Sequence, residues 1–314
     1  MNERRHPPVA ASVLGGVLVQ ALLVLAFVVP GHAPEPHDVP VAVAGPPEAA
    51  EAVADQVEQR RPGAFEIVNV PDAEEAEQAI LDRDAYGALI PADNRLLVAT
   101  AASRPVAQIL EVAFAETGAT TTDVRPLDPD DPLGATLGLI GIPLIVVCLP
   151  VGLLLARLPL KAAIAGALAF AALAGLAVIA VIHGWLGALP GPYPALAAIA
   201  ALMVAAVVLP AVGFVRLLGP PGLGIVALVI FVIGNPASGA ATATELLPGF
   251  WRQVGQLLPP GAGITSLRNT AYFDGAALTR PLIVLVAFAA GGLALIALSG
   301  RLPQRQPGRR VEHV

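Results

Sequence analysis

Six apolar runs, at about 9–30, 133–156, 162–186, 194–217, 222–236 and 281–300, hold no Asp, Glu or Lys, and their one Arg, Arg216, stands at the end of the fourth. Hydrocarbon offers no partner to a free backbone amide, so runs of this kind cross a bilayer as helices. Most have 20 residues or more, enough for a core of roughly 30 Å at about 1.5 Å per residue. The fifth, "GLGIVALVIFVIGNP", covers only about 22 Å at that rise. It breaks at Asn235-Pro236, because proline lacks an amide donor and disfavours helix in the residue before it. Composition agrees: 56% of the chain is hydrophobic, 13% is charged, and the mean hydropathy is +0.73. Arg outnumbers Lys by 17 to 1, which reads as the coding bias of a GC-rich bacterial genome.

The basic residues orient the spans. Arg4 and Arg5 precede the first, Arg157 and Lys161 join the second to the third, and Arg216 lies between the fourth and fifth. Arg301, Arg305, Arg309 and Arg310 follow the sixth. All nine share one side if the six spans alternate, which puts both termini in the cytoplasm and the chain in a bacterial plasma membrane. The tail "RQPGRR" suits contact with anionic lipid. A cleaved secretory signal is the rival reading of the first run. Its apolar stretch exceeds the usual h-region, and Pro34 directly after "GHA" makes a poor cleavage site, so an uncleaved anchor is expected.

Five regions follow: 1–30, the N-terminus and first span; 31–132, a soluble insert; 133–236, spans two to five; 237–280, a segment of different character; and 281–314, the sixth span and tail. The insert holds twenty carboxylates against six arginines. That balance suits a solvated extracytoplasmic face and argues against nucleic acid, whose phosphates it would repel. Its pattern alternates between strands and helices. "DVPVAVAG", "FEIVNV", "YGALIP", "RLLVATA" and "TTDVRPL" read as strands, with the turn "ADN" between the third and fourth. "PPEAAEAVADQVEQRRPG", "DAEEAEQAILDRD" and "RPVAQILEVAFAETGA" read as helices, the second with Asp72 as N-cap. One small α/β domain with a modest core is expected.

Residues 237–280 are too apolar and too patterned for a plain loop. "LLPGFWRQVGQLLPPGAGITSLRN" holds two short helices bounded by Pro248 and by Pro259, Pro260 and Gly261. Phe250, Val254 and Leu257/Leu258 fall on one face of the first, with Arg252, Gln253 and Gln256 elsewhere. Trp251, Arg252 and Arg268, with Asn235 and Pro236 at the end of the short fifth span, mark a segment that either re-enters the bilayer or lies flat on its surface.

Motifs of chemistry are absent from the sequence. It has no GxxxxGK[ST], HExxH, CxxC or GxSxG pattern, so no catalytic, cofactor or metal site is expected, and the lone Cys148 forms no internal disulfide. The acidic "DPDDP" at 128–132 lacks the ligand spacing of a calcium loop and reads as a solvated linker. His183, beside Gly184 and Trp185, reads as an interfacial residue of the third span, a proton relay being the alternative. With no carboxylate at membrane depth, energy for any transport has to come from another protein, unless sodium couples through backbone carbonyls.

One cytoplasmic-start span, an α/β insert and five more spans resemble the type-2 permeases of ABC exporters, and within them the phage infection protein branch. The resemblance rests on "VPVAVAG", "FEIVNVPDAEEAEQAILDRDAYGALIPADN", "GNPASG", "LLPGFWRQVGQLLPPGAG" and "SLRNTAYFDGA". It implies a half-transporter that dimerises and is driven by a separate cytoplasmic ATP-binding subunit. That subunit would dock on the elbow, Glu3 to Pro8, and on the loop Arg157 to Lys161. The expectation is a permease subunit for a hydrophobic or amphipathic substrate. The alternative is a non-transporting surface receptor or a structural protein associated with secretion.

Overall fold

The computed structural model describes residues 9–32 and 34–301; the elbow Glu3 to Pro8 and the tail beyond Arg301 lie outside them. Helices α1 (Val9–His32), α7 (Leu160–Ile179), α8 (Tyr193–Leu218) and α12 (Thr279–Arg301) fall on four of the apolar runs. The second run splits into α5 (Ala135–Val146) and α6 (Cys148–Leu155). Pro150 explains the break, since it supplies no amide to the carbonyl of Val146. Helix α7 continues to Trp185 in wider turns of π type. Five helices are thus long and apolar enough to cross a bilayer, and the protein is a multi-pass membrane protein. The fifth run is the short one: α9 (Pro220–Val226) continues in wide turns only to Gly234.

Helix α8 is the hub, buried along most of its length and packed on α6, α7, α9, α11 (Pro259–Tyr272) and α12. Small residues let these backbones close on it. The face of α7 buried against α8 is Ala163, Ala167, Ala171 and Gly175, spaced one helical turn apart.

Between α1 and α5 lies a five-stranded sheet in the order β2-β1-β3-β4-β5. Its strands are β1 (Val39–Ala44), β2 (Phe65–Val70), β3 (Gly87–Ile90), β4 (Arg95–Val98) and β5 (Thr120–Asp123). β1 runs parallel to β2 and β3, β3 and β4 form an antiparallel hairpin, and β5 runs parallel to β4. Asn94, left-handed at φ 51°, turns the hairpin. Helices α2 (Pro47–Arg60) and α4 (Arg104–Ala113) cover one face and α3 (Ala73–Leu81) the other, so β1 is buried on both sides. Asp72 caps α3 by accepting from the amides of Glu74 and Glu75. The expected single core is two, one on each face, and neither belongs to the insert alone. Leu246 completes the first and Phe273 the second, and both come from the segment before α12.

The acidic linker also departs from expectation. Asp131 is buried, and its two carboxylate oxygens accept from the amides of Ala135 and Thr136, each at 2.9 Å. It caps the first turn of α5, where amides have no helical partner and a negative charge meets the positive end of the helix. Asp131→Ala is therefore expected to cost about 1–2 kcal/mol. The cost should appear as a lower thermal midpoint of the detergent-solubilised chain, and Asp130→Ala should change it little.

Candidate functional site

Between the short fifth run and α12 the chain breaks, turns and folds back on itself. Pro236–Ser238 form one tight turn closed by left-handed Gly239. Helix α10 (Gly249–Gly255) starts after Pro248, and α11 starts on Pro259 and Pro260, where a missing amide costs nothing. Ten of the fourteen residues of α11 are buried, more than a helix lying on a surface covers with one face. Gly263 abuts Met203 of α8, ten residues or roughly 15 Å along that helix from Tyr193. At the other end Thr270 and Ala271 abut Gly191, in the loop joining α7 to α8. Helix α11 thus runs inside the bundle, from the level of mid-α8 to the level of that loop. Asn235 and Pro236 sit beside its start, since Gly234 packs on Pro260 and Gly261 packs on Gly255.

Polar side chains pair the backbone that this break frees. Arg268 donates from Nη2 to the carbonyls of Gly239 and Ala240, at 3.3 and 3.1 Å. Gln256 donates to the carbonyl of Ser238 and accepts from Thr265. Arg252 reaches the other way, donating to the His37 carbonyl and to Asp38 at 3.0 Å, which ties α10 to the start of β1. The apolar face expected on the first helix is divided. Helix α10 is only two turns long, so Leu258 is buried beneath it while Phe250 and Leu257 point outward. Trp251 is half-buried with its ring edge-on to Phe250.

A polar cavity of about 300 Å³ lies between β1, the end of α3, α11 and the start of α12. Three guanidinium groups line it: Arg83 after α3, Arg268 on α11 and Arg280 at the opening of α12. Arg83 lies over the rings of Phe273 and Tyr86, 4.6 and 5.1 Å from their centroids. Its Nε and Nη1 are buried without a partner, and its backbone is left-handed at φ 72°. None of the three arginines forms an ion pair among the described residues. One carboxylate, Glu245, faces them and accepts from Tyr86 at 2.7 Å and Thr244 at 3.0 Å through the same oxygen, Oε2. Burial, and then the Glu245 charge, push the Tyr86 phenol above its ordinary range, so it stays a donor. Asn269, buried on the cavity wall, has an Oδ1 with no partner.

Arg157 and Lys161 are exposed at the opposite end of the bundle, Arg157 within the four-residue turn from α6 to α7 and Lys161 in the first turn of α7. They do not meet the cavity. His183 pairs its Nδ1 with the carbonyl of Leu189 at 2.8 Å, a bond that closes the loop before α8. Among the described residues no group of His, Cys, Asp or Glu is placed to hold a metal ion. Sequence reasoning singled out Arg268 and missed Arg83, Tyr86, Glu245 and Arg280. The one available signal was Glu245, the only acidic residue between Asp131 and Asp274. No family model, curated protein or solved structure matches this chain.

Proposed function

We propose that this chain is the permease subunit of an ABC-type exporter for a hydrophobic or amphipathic substrate, energised by a separate ATPase. In this reading the short fifth run counts as a sixth span, completed by re-entrant α10 and α11. Both termini are cytoplasmic, and the sheet domain stands outside a bacterial plasma membrane. The observation that carries the reading is α11, a proline-started helix inside the bundle whose outer end opens on a polar cavity. Among the described residues, the Arg, Lys and His side chains of the long apolar helices lie at or near their ends and those helices hold no Asp or Glu, so no charged relay crosses the bilayer with them. Dimerisation has support in α1, which from Val13 on leaves nearly every described side chain exposed and meets the fold along Ala227–Gly234, where Phe27 lies against Phe231, and at the turn Pro236–Ser238.

Deleting the sheet domain would not test this, because Leu246 and Phe273 would lose the cores they complete. The coupling loop tests it without disturbing them. Arg157→Glu with Lys161→Glu is expected to abolish ATP-dependent export and capture of the ATPase, with normal insertion and thermal midpoint. Undiminished export by the double variant rejects the reading, as does gradient-driven uptake by the purified chain alone in liposomes.

A further inference from the structure

We infer that the cavity between the sheet and α11 is an oxyanion site, shaped for the phosphoryl head of an amphiphile. The inference rests on the groups around the cavity and stands whether or not the chain moves what it binds. Beside an insert with twenty carboxylates, an arginine finds an acidic partner at little cost, as Arg60 does with Glu116, and Arg125 reaches Asp274 of the later segment. Arg83, Arg268 and Arg280 do not, although they share one cavity. Three guanidinium groups with no ion-pair partner among the described residues repel one another, and the buried Arg83 Nε and Nη1 without partners are unfavourable unless something accepts from them.

Geometry narrows the occupant. The three groups come from three elements: the end of α3, the flank of α11 and the first turn of α12. A carboxylate is planar and satisfied by one bidentate arginine, whereas a tetrahedral phosphoryl group offers oxygens in three directions. The start of α12 adds the positive end of a 23-residue helix. Beside these donors stand two acceptors, Glu245, whose Oε1 has no partner among the described residues, and the unpartnered Asn269 Oδ1. They suit a hydroxyl or ammonium group next to the phosphate. Level supplies the last restriction. Arg280 opens a span, and Thr270, next to Asn269, abuts the loop between two others. The cavity therefore sits where the spans end, at the depth of lipid headgroups on the side of the sheet domain.

Arg83 offers a clean test. Its left-handed backbone is one that glycine adopts without strain, so Arg83→Gly removes the guanidinium while relieving the main chain. The full chain in a neutral detergent would be titrated calorimetrically with dihexanoyl phosphatidylglycerol, with dihexanoylglycerol lacking the phosphate, and with glycerol phosphate. The phosphatidylglycerol is expected to bind and the neutral glyceride not. Arg83→Gly and the exposed Arg280→Gln should each weaken binding about ten- to hundred-fold, the scale of one lost charge-assisted hydrogen bond. Equal affinity for glycerol phosphate keeps the oxyanion site and assigns it to a soluble phosphoester. Comparable binding of the neutral glyceride, failure of both phosphate probes, or unchanged affinity in both variants overturns the proposal.

Discussion

Gly292→Val is expected to leave little folded protein, whereas Gly291→Val, one residue earlier on the same helix, should leave fold and thermal midpoint unchanged. A Cβ at Gly291 meets nothing within 4 Å, while one at Gly292 meets the main chain of Leu209 and the ring and nitrogen of Pro210. Both substitutions change helix propensity equally, so the difference isolates the contact between α12 and α8. Lipid tails are as apolar as the helices, so burial alone does not draw helices together in a bilayer, and close backbone packing is what does. Overpacking usually costs about 1–3 kcal/mol, and more when the obstacle is main chain, which cannot swing aside like a side chain. Here the main chain belongs to the hub. Gly213 of α8 abuts Leu295 of α12, Gly175 of α7 abuts Ala197 and Ala201, and Gly152 of α6 abuts Ala211. Moving α8 to admit a valine would open those interfaces too. Size-exclusion chromatography after mild extraction, with a thermal midpoint for each variant, reads the outcome. Equal behaviour of the two variants would mean that the helices do not meet at Gly292.

That hub was hidden in the sequence. The five long helices have nearly equal hydropathy, 2.5 to 2.6, yet Val207 of α8 is fully buried and Leu18 of α1 is 62% exposed. Hydropathy reports that a run avoids water, not whether lipid or protein replaces it. The spacing of Ala163, Ala167, Ala171 and Gly175 was the legible clue, because small residues one turn apart make a face that only another helix can use. Strands β1 to β4 were legible because β-branched and aliphatic runs stood between turn residues. What Leu246 and Phe273 add to their cores was not, since those contacts join segments far apart in the chain. The site divides in the same way. Arg268 stood out as a charge in an apolar helix, but Arg83 followed a helix of charged residues, where one more arginine carries no signal. Its left-handed backbone is visible only in three dimensions.

Arg216→Met is expected to free the turn that carries Arg157 and leads into Lys161 while leaving both residues in place. Arg216 donates from Nη1 to the carbonyls of Ala156 and Leu158, at 3.1 and 2.9 Å, and from Nε to Ser299 at 2.9 Å. One planar group thus joins the last turns of α8 and α12 to the turn after α6. The two carbonyls lie where helix α6 has ended and the chain supplies no amide for them, so a cation there satisfies both the hydrogen bonds and the negative end of that helix. Methionine keeps the apolar stem and removes the fork. Losing hydrogen bonds to a charged donor costs about 1.5–3 kcal/mol each, so with two such bonds gone from the turn local opening should become at least about a hundred times more frequent. Hydrogen exchange at the amides of Arg157, Leu158, Leu160 and Lys161 would show that change, with exchange in α8 itself little altered. Lysine should recover only part of the protection, because an ammonium on a flexible stem does not hold three acceptors in two directions as a rigid fork does. If this turn receives the ATPase, export should fall in Arg216→Met although no residue at the docking surface has changed. Unchanged exchange at 157–161 would mean that the turn is held by its own four residues and not by the arginine beneath it.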